Sequence, residues 1–326
     1  MAGMHRTSGF GNKYVMSQFS SQEHAGKGKE YIGRLPMVKG GGIRFRPNSP
    51  GWMMNRSGDP EERSRWLLPG RLEAVEWCQQ RNHDGIRGMM DVLGRYSLDP
   101  ALVDRYSRIY VATIKDIERG GLEASMSVKL SALGASFDRE LARRKALNIC
   151  IAGARHGVDI ELDMEGRGFI DLVIQTAIEC NGEGAPVALT LQAYLDRTPA
   201  DIEKAVKRGL RVRLVKGAYL GDVSDFAEIS SRFRGLAERL SQTGLPFALG
   251  THDPELIEWA RALPVDRKLL EFGFLKGLAD RTKRALVAEG RRVAEYIPFG
   301  KEGEAYILRR RAYLKRLEEL GRRPAD

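Results

Sequence analysis

The distribution of apolar residues changes near residue 71. From there to the C-terminus, short apolar runs rich in β-branched residues alternate with longer amphipathic stretches. This alternation is typical of βα units around a parallel sheet. It predicts eight strands, at residues 85–93, 124–130, 158–164, 186–192, 211–216, 246–251, 269–274 and 292–298.

A helix is predicted after each strand. These segments lie near residues 99–118, 137–156, 168–181, 199–208, 223–243, 253–262, 278–290 and 303–320. Three of the starts carry a capping residue before proline, namely Asp99-Pro100, Thr198-Pro199 and Asp253-Pro254. The capping side chain accepts a hydrogen bond from a free backbone N–H. Proline is tolerated at the first helical position because the N–H that it lacks would have no partner within the helix.

Eight strands that are each followed by a helix predict an α/β fold, a (β/α)8 TIM-like barrel. The elements occupy about 230 residues, close to the span of roughly 250 that is typical of such barrels. The competing architecture is an open doubly wound sheet, which usually carries a glycine-rich phosphate loop after a strand. Neither GxGxxG nor GxxxxGK[ST] follows a predicted strand, so the barrel is favoured.

Residues 1–70 have a different composition from the predicted barrel at residues 71–326. They contain 12 of the 36 glycines and show no sustained helical or strand period, which predicts an extended basic arm. The arm mixes cations with aromatic residues, as a segment that docks on a protein partner or nucleic acid would, but flexible basic termini are also common. An organellar presequence is a further alternative, because the first 22 residues lack acidic side chains.

The positive charge is concentrated at the two ends of the chain. There are 53 Lys and Arg against 43 Asp and Glu, a formal charge of +10. Residues 1–70 and residues 281–326 each carry +6, so the part between them is close to neutral. A surface for a polyanion is therefore not indicated, and we expect no specific nucleic-acid partner.

The lengths of the apolar runs and the spacing of the cysteines bear on membrane insertion and on the redox state of the compartment. No run approaches the roughly 20 apolar residues that span a bilayer, so we expect no transmembrane segment, and peripheral membrane contact stays open. Cys78, Cys150 and Cys180 are odd in number and widely spaced. This spacing supports neither a disulfide framework nor a structural zinc site, which favours a reducing compartment.

Polar and aromatic side chains lie at or just after the carboxyl ends of the predicted strands. They are Lys129, Asp163, Glu165, Gln192, Tyr194, Lys216, Tyr219, His252 and Tyr296. Active sites of (β/α)8 barrels are built at the carboxyl ends of the strands, so we expect these side chains to converge on one mouth. Asp163 and Glu165 are expected to point the same way, with Lys129 as the cation that neutralises them.

The last predicted helix carries Arg309, Arg310 and Arg311. Successive helical residues are about 100° apart, so the three cannot be equivalent. One hypothesis is that one or two of them reach over the mouth and grip a carboxylate; the other is a basic surface helix. A metal site at His252 is not indicated, because no His or Cys stands at ligand spacing.

Eight motifs occur at these strand ends and on the last helix. They are Val128-Lys129-Leu130-Ser131-Ala132-Leu133, Leu162-Asp163-Met164-Glu165, Leu191-Gln192-Ala193-Tyr194, Arg213-Leu214-Val215-Lys216-Gly217-Ala218-Tyr219, Thr251-His252-Asp253-Pro254, Glu271-Phe272, Tyr296-Ile297-Pro298-Phe299-Gly300 and Tyr306-Ile307-Leu308-Arg309-Arg310. In type and order they resemble the proline dehydrogenase family, flavin-dependent barrel enzymes that also form a domain of bifunctional proline-utilisation proteins. The resemblance covers about residues 71–320.

The resemblance implies a role for thirteen residues. On the substrate side, Arg309, Arg310 and Lys129 would bind the proline carboxylate. Tyr296 and Tyr306 would pack around the pyrrolidine ring, and Asp163 would orient its cationic neighbours. The implied FAD-binding residues are Gln192, Arg213, Lys216, Gly217, Ala218, Thr251 and His252.

The reaction implied by the resemblance is hydride transfer from C5 of L-proline to N5 of FAD, which gives 1-pyrroline-5-carboxylate. Electrons would then pass to a quinone or another acceptor. Tyr296 favours proline over hydroxyproline, because the resemblance puts its side chain against the ring position that would carry the hydroxyl. The implied location is the cytoplasm or the inner face of a respiratory membrane, and mitochondria in a eukaryote.

Three positions depart from the family pattern. Tyr313 replaces a glutamate one turn after the paired arginines, and Gly273 and Lys276 replace a glutamine and a tyrosine after Glu271-Phe272. These departures motivate an alternative function, in which an impaired barrel acts as a structural or docking subunit through its N-terminal arm.

Overall fold

Eight parallel strands close into a barrel in chain order, from β1 round to β8 and back to β1. The computed structural model describes residues 60–94, 96–219 and 221–326. The strands are β1 Arg87–Val92, β2 Ala124–Val128, β3 Asp159–Leu162, β4 Val187–Gln192, β5 Arg211–Val215, β6 Phe247–Gly250, β7 Leu270–Leu275 and β8 Arg292–Phe299. The predicted (β/α)8 TIM-like fold is confirmed, and the open doubly wound sheet is wrong.

Helices surround the barrel. They are α1 Pro60–Trp66, α2 Arg71–His83, α3 Pro100–Arg119, α4 Arg139–Arg155, α5 Ile170–Gly182, α6 Thr198–Lys207, α7 Phe226–Ser241, α8 Pro254–Arg261, α9 Asp280–Ala288 and α10 Glu304–Glu319. All eight helices predicted after strands are present. Within the described ranges, no helix is both long enough and apolar enough to cross a bilayer.

Two of the three predicted helix caps are present. Asp99 accepts from the N–H of Ala101 at 2.9 Å, and Asp253 accepts from the N–H of Glu255 at 3.1 Å. The cap predicted at Thr198 is wrong, because that residue is already helical. Its hydroxyl instead donates to the Gln192 carbonyl at 2.5 Å, which ties the start of α6 to the end of β4.

Helix α2 precedes the first strand and was not among the predicted helices. Its buried residues are Ala74, Cys78 and Arg81, so its apolar face is too narrow to give a clear helical period. It packs closely on the barrel nonetheless. A Cβ added to Gly88 of β1 would lie 2.3 Å from Cys78 Sγ, so glycine is what allows this contact.

The segment at residues 60–70, predicted to be part of the extended arm, packs against the barrel. Trp66 and Leu67 are buried. Leu68 donates its N–H to the Pro298 carbonyl at 3.0 Å and accepts from the N–H of Gly300 at 2.9 Å, beside the end of β8. Trp66 at the end of α1 and Leu67 after it therefore pack with the barrel, although the predicted boundary lies at residue 70. Residues 1–59 lie outside the described residues.

Candidate active site

A cavity of about 750 Å³ opens at the carboxyl ends of the strands. It is lined by all thirteen residues to which the sequence resemblance gives a role: Lys129, Asp163, Gln192, Arg213, Lys216, Gly217, Ala218, Thr251, His252, Tyr296, Tyr306, Arg309 and Arg310. Tyr194 and Tyr219 line it as well. The volume is within the range of small-molecule and cofactor sites.

Lys129 is the centre of a hydrogen-bonded network on one wall of this cavity. Its Nζ donates to Tyr296 Oη at 2.6 Å, lies 3.1 Å from Asp163 Oδ2 and pairs closely with Asp91. Tyr296 Oη in turn donates to Asp163 Oδ2 at 2.8 Å. The predicted pairing of Lys129 with Asp163 is present, and the tyrosine hydroxyl is held between the two charges.

The charges in this network stabilise each other. Burial by itself would raise the pKa of Asp163, but Lys129 and Arg213 outweigh it and lower that pKa to about 2. Burial by itself would lower the pKa of Lys129, yet Asp91, together with Tyr296 and Asp163, raises it well above its ordinary value. The ion pair therefore persists throughout the physiological pH range.

Asp91 is a site residue that the sequence reasoning missed. It lies within β1 and is fully buried, between Met90 and Val92. Burial raises its pKa, and the neighbouring Asp163 carboxylate raises it further against the attraction of Lys129. A carboxylate inside an apolar strand was the available signal, because a buried charge needs a partner.

Helix α10 carries four arginines, and three of them, Arg309, Arg310 and Arg316, line the cavity. The guanidinium of Arg309 lies 5.2 Å from the ring centre of Tyr219, and that of Arg310 lies 4.9 Å from the ring centre of Tyr306. Nε of Arg310 is buried without a hydrogen-bond partner among the described residues. Arg311 does not line the cavity. The arrangement favours the carboxylate grip over a wholly solvated basic helix.

Arg213 extends from β5 onto the cavity floor. Its Nη2 donates to Thr190 Oγ1 at 2.9 Å and to Asp163 Oδ1 at 3.2 Å. The guanidinium also lies 5.6 Å from the ring centre of Tyr296. Arg213 is therefore tied to the same network as Lys129, although it enters from the opposite side of the barrel.

Lys216 supplies a second cation on the β5 side. Its Nζ lies 2.8 Å from Asp253 Oδ2 and 3.7 Å from the ring centre of Phe226. Burial lowers the pKa of Lys216, while its hydrogen bond to Asp253 opposes that shift. An anion entering the cavity would meet a cation that is already partly desolvated.

Gly217 is required by a close approach of Tyr194. Its φ is +130°, and an added Cβ would lie 1.7 Å from Tyr194 Cε1. Tyr194 is fixed because its hydroxyl donates to Gln192 Oε1 at 2.8 Å and accepts from the N–H of Tyr219 at 2.9 Å. The sequence resemblance pointed to Gly217, and Tyr194 is the physical reason that glycine is needed there.

His252 is held as a neutral ring with a defined tautomer. Its Nε2 accepts from the N–H of Leu275 at 2.9 Å, so the proton of the neutral ring is on Nδ1. Burial, together with the positive charges of Arg310 and Lys283, lowers its pKa to about 3. His252 thus presents a neutral hydrogen-bond donor.

Glu165 does not join Asp163 in the cavity as predicted. The strand ends at Leu162, so the chain turns and Glu165 instead accepts from the N–H of Ser131 at 2.9 Å. Burial raises the pKa of Glu165, and its hydrogen bonds with Ser131 oppose that shift. Its task is to hold the loop after β2.

Two of the departures from the family pattern lie in the cavity lining and one does not. Gly273 and Tyr313 line the cavity, and the Tyr313 ring is 6.4 Å from the ring of His252. Lys276 is buried elsewhere. Its Nζ donates to the carbonyls of Ser64 and Arg65 at 2.8 and 3.0 Å, so it fastens the end of α1 to the barrel.

A (β/α)8 barrel whose strand ends join a buried Lys–Asp–Tyr network, cations and a large cavity has the architecture of an enzyme for an anionic small molecule. Residues 74–232 match the family described as "Proline dehydrogenase". Proline dehydrogenase of Deinococcus radiodurans is 30% identical over 250 residues, which cover 73% of this chain and 81% of the relative. The chain belongs to the proline dehydrogenase family, a family of oxidoreductases.

Other relatives agree with this assignment. Proline dehydrogenase 1 of Bacillus subtilis subsp. natto is 26% identical over 245 residues, 73% of this chain and 81% of the relative. Proline utilization A (PutA) of Bdellovibrio bacteriovorus, in a crystal structure inactivated by N-propargylglycine, has the same fold with a TM-score of 0.70 at 22% identity. That likeness covers 77% of this chain but only 32% of the PutA chain.

Proposed function

We propose that this protein oxidises L-proline to 1-pyrroline-5-carboxylate with FAD as the cofactor. The proposal rests on family membership and on one observation, the convergence of all thirteen candidate residues on a single cavity. Their chemistry divides between two groups, a substrate group around Lys129 and α10 and a cofactor group around Arg213 and His252.

The substrate group suits an amino-acid carboxylate. Arg310 has a buried Nε with no partner among the described residues, and Arg309 faces the same cavity. Each guanidinium can donate two parallel hydrogen bonds to a carboxylate. Lys129 contributes a third cation, held in place by Asp91 and Asp163. These groups would bind and orient proline by its charged end.

The tyrosines suit the rest of the proline molecule. The Tyr296 hydroxyl accepts from Lys129 and donates its single proton to Asp163. Tyr296 therefore offers an apolar ring face and has no proton left to donate to a polar ring substituent. Tyr306 is also buried and lines the same cavity. The hydrogen bonds of Tyr296 support proline as the substrate in preference to hydroxyproline.

The residues on the other side of the cavity fit FAD in the chemistry of their donors. Arg213 and Lys216 supply cations for an anionic cofactor, and His252 supplies a neutral donor at Nδ1. At Gly217 the backbone borders the cavity without a side chain. Bound there, FAD would supply the redox chemistry by accepting hydride from proline C5 at its N5, and the protein would supply alignment.

We further propose that a quinone or another acceptor removes the electrons, at the cytoplasmic or matrix face of a respiratory membrane or in solution. The alternative function, a docking subunit with an impaired barrel, is less well supported. One of the three departures that motivated it, Lys276, lies outside the cavity and holds α1. The remaining two leave the Lys129 network and both arginines in position.

The proposal is tested by turnover. Purified protein loaded with FAD is incubated with L-proline and an artificial electron acceptor, and the product is identified by mass spectrometry. We expect a product two hydrogens lighter than proline and much slower turnover with 4-hydroxyproline. Equal turnover of both substrates would contradict the role given to Tyr296. Absence of any product would contradict the proposed function.

A further inference from the structure

Charged side chains continue below the cavity, through the interior of the barrel. They form a row of alternating charge, which we call the interior ladder: Glu271, Arg87, Glu161, Arg213, Asp163, Lys129 and Asp91. From Glu271 to Asp163, successive members come from non-adjacent strands or the segments just after them, so they meet across the barrel axis. Asp163, Lys129 and Asp91 belong to the adjacent strands β3, β2 and β1 or follow them directly. The upper end of the ladder is the network around Lys129.

Glu161 occupies the middle of the ladder. Its Oε2 lies 3.1 Å from Arg213 Nε, and its Oε1 lies 3.1 Å from Arg87 Nη2. Ser125 Oγ donates to Oε1 at 2.6 Å. Burial by itself would raise the pKa of Glu161, but Arg213 and Arg87 outweigh it and lower that pKa. Glu161 is therefore a buried, fixed negative charge.

Arg213 separates two cavities. It lines the large cavity from below and also lines a second cavity of about 30 Å³ at the amino ends of the strands. Of the described residues, only Arg213 lines both. Glu161 lines the small cavity alone, so it cannot touch a ligand in the large one. Its ion pair with Arg213 is what connects Glu161 to the lining of the large cavity.

We propose that Glu161 is a positioning residue for the oxidation of proline: it holds the Arg213 guanidinium in place from below and limits the positive charge that Arg213 presents to the cofactor. The inference rests on the proposed function for the identity of that cofactor. Asp163 accepts a hydrogen bond from Nη2 of the guanidinium, while Glu161 forms an ion pair with Nε at 3.1 Å without a hydrogen bond of good geometry. Two anchors leave a planar cation little freedom to rotate.

The direction of the electrostatic effect follows from the charges. Replacing Glu161 by Gln removes a negative charge about 3 Å from Arg213, inside a barrel where screening by water is weak. The positive potential at the cavity floor then rises. A reduced flavin carries more negative charge than an oxidised one, so the variant should stabilise the reduced form and bind sulfite, which adds an anion to flavin, more tightly.

Glu271 offers a matched control. It is also buried, and its two carboxylate oxygens lie 2.8 and 2.9 Å from Arg87. It lies one cation further from the cavity than Glu161. Glu271→Gln therefore removes the same charge from the same ladder without releasing Arg213. A purely structural role would make the two variants alike.

The experiment compares Glu161→Gln with Glu271→Gln in FAD-loaded protein, using spectroelectrochemistry and sulfite titration. We expect Glu161→Gln to shift the two-electron equilibrium toward reduced flavin about tenfold, or about 30 mV, and Glu271→Gln to shift it by less than twofold. Equal shifts, or no shift in Glu161→Gln, overturn the inference. If Glu161→Gln does not fold, Glu161→Asp replaces it, with a smaller shift expected in the same direction and no shift overturning the inference.

A second readout does not depend on the cofactor. Guanidinium NMR of Arg213 in protein without FAD, assigned with an Arg213→Lys variant, reports how firmly the group is held. We expect faster proton exchange at Arg213 in Glu161→Gln and no change in Glu271→Gln. Unchanged exchange in both overturns the inference. Failure of proline to reduce the wild-type flavin would instead contradict the proposed function, and the NMR comparison would still decide the role of Glu161.

Discussion

The arginines at the two ends of the barrel have different partners. At the amino ends of the strands, Arg87 lies 2.8 Å from Glu271 and Arg211 lies 2.9 Å from Asp159, around a cavity of about 30 Å³. At the carboxyl ends, Arg309 and Arg310 lie against tyrosine rings, and the cavity is about 750 Å³. The arginines at the amino ends are neutralised by carboxylates, whereas Arg309 and Arg310 face the cavity in which a ligand is expected to bind.

The interior ladder connects the two ends of the barrel. Within it, carboxylates hold Lys129 and Arg213 from one side while these two cations line the cavity on the other. Buried acidic residues such as Asp91 therefore position cations, and Arg309 and Arg310 face the cavity from α10.

The largest effect is expected from Lys129→Met. Removing this cation leaves Asp91 and Asp163 buried beside each other, and breaking a buried ion pair from one side costs about 3–5 kcal/mol. The free energy of unfolding, measured in urea, should fall by that amount. Arg211→Met at the other end removes a more exposed pair and should cost about 0–1 kcal/mol. Equal losses would contradict the distinction between the two ends.

Arg310→Met should weaken proline binding with little loss of stability. It removes a charge-assisted contact of about 1.5–3 kcal/mol, so KM for proline should rise roughly 10- to 150-fold. Arg309→Met should act in the same direction. Lys315→Met is the control, because Lys315 is an exposed cation of the same helix that does not line the cavity. Steady-state kinetics in which all three variants match the wild type would rule out the carboxylate grip.

Gly217→Ala tests the cofactor side. The new Cβ would collide with Tyr194 at a backbone φ of +130°, so we expect a loss of about 1–3 kcal/mol in unfolding free energy together with weaker FAD binding. Gly235→Ala is the matched control. Gly235 lies within α7 with no atom near an added Cβ, so alanine should stabilise the protein by about 0.5–1 kcal/mol. Calorimetry and FAD titration measure both quantities.

The smallest effect concerns pH. The folded pKa of His252 is lowered to about 3, so the ring is neutral in the folded protein at any pH well above that value. FAD affinity should therefore show no histidine titration between pH 5 and 8, when it is followed by fluorescence. The lowered pKa contributes stability that is present above the unfolded pKa of about 6.5 and lost as the pH falls toward 3. A step in FAD affinity near pH 6.5 that is absent in His252→Gln would contradict this prediction, because it would show that the ring titrates in the folded protein.

Much of the fold could be predicted because the signals were local. Apolar runs gave the eight strands, and proline after aspartate gave the starts of α3 and α8. Helix α2 and residues 60–70 were missed for a different reason. Their ordering depends on contacts with distant residues, as when Lys276 binds the carbonyls of Ser64 and Arg65. No window of the sequence around residue 60 contains that information.

The candidate site also contains residues that local sequence signals predict and residues that they do not. Lys129 and His252 stand at strand ends, which the barrel rule singles out. Asp91 and Glu161 lie inside strands, where a charged residue is commonly assigned to the solvent face. Only the closed barrel shows that they face cations on other strands. Sequence reasoning therefore found Asp163 and the other candidate residues of the cavity and missed Asp91 and Glu161, which pair with Lys129 and Arg213 from within the strands.

The central claim is that the cavity joins FAD and proline in a productive arrangement, and anaerobic titration of the FAD-loaded protein with L-proline tests it most directly. We predict a yellow protein whose flavin absorption bleaches as proline is added, and bleaching at far higher proline concentration in Arg310→Met. A protein that takes up no FAD, or a bound flavin that proline leaves oxidised, would contradict the account.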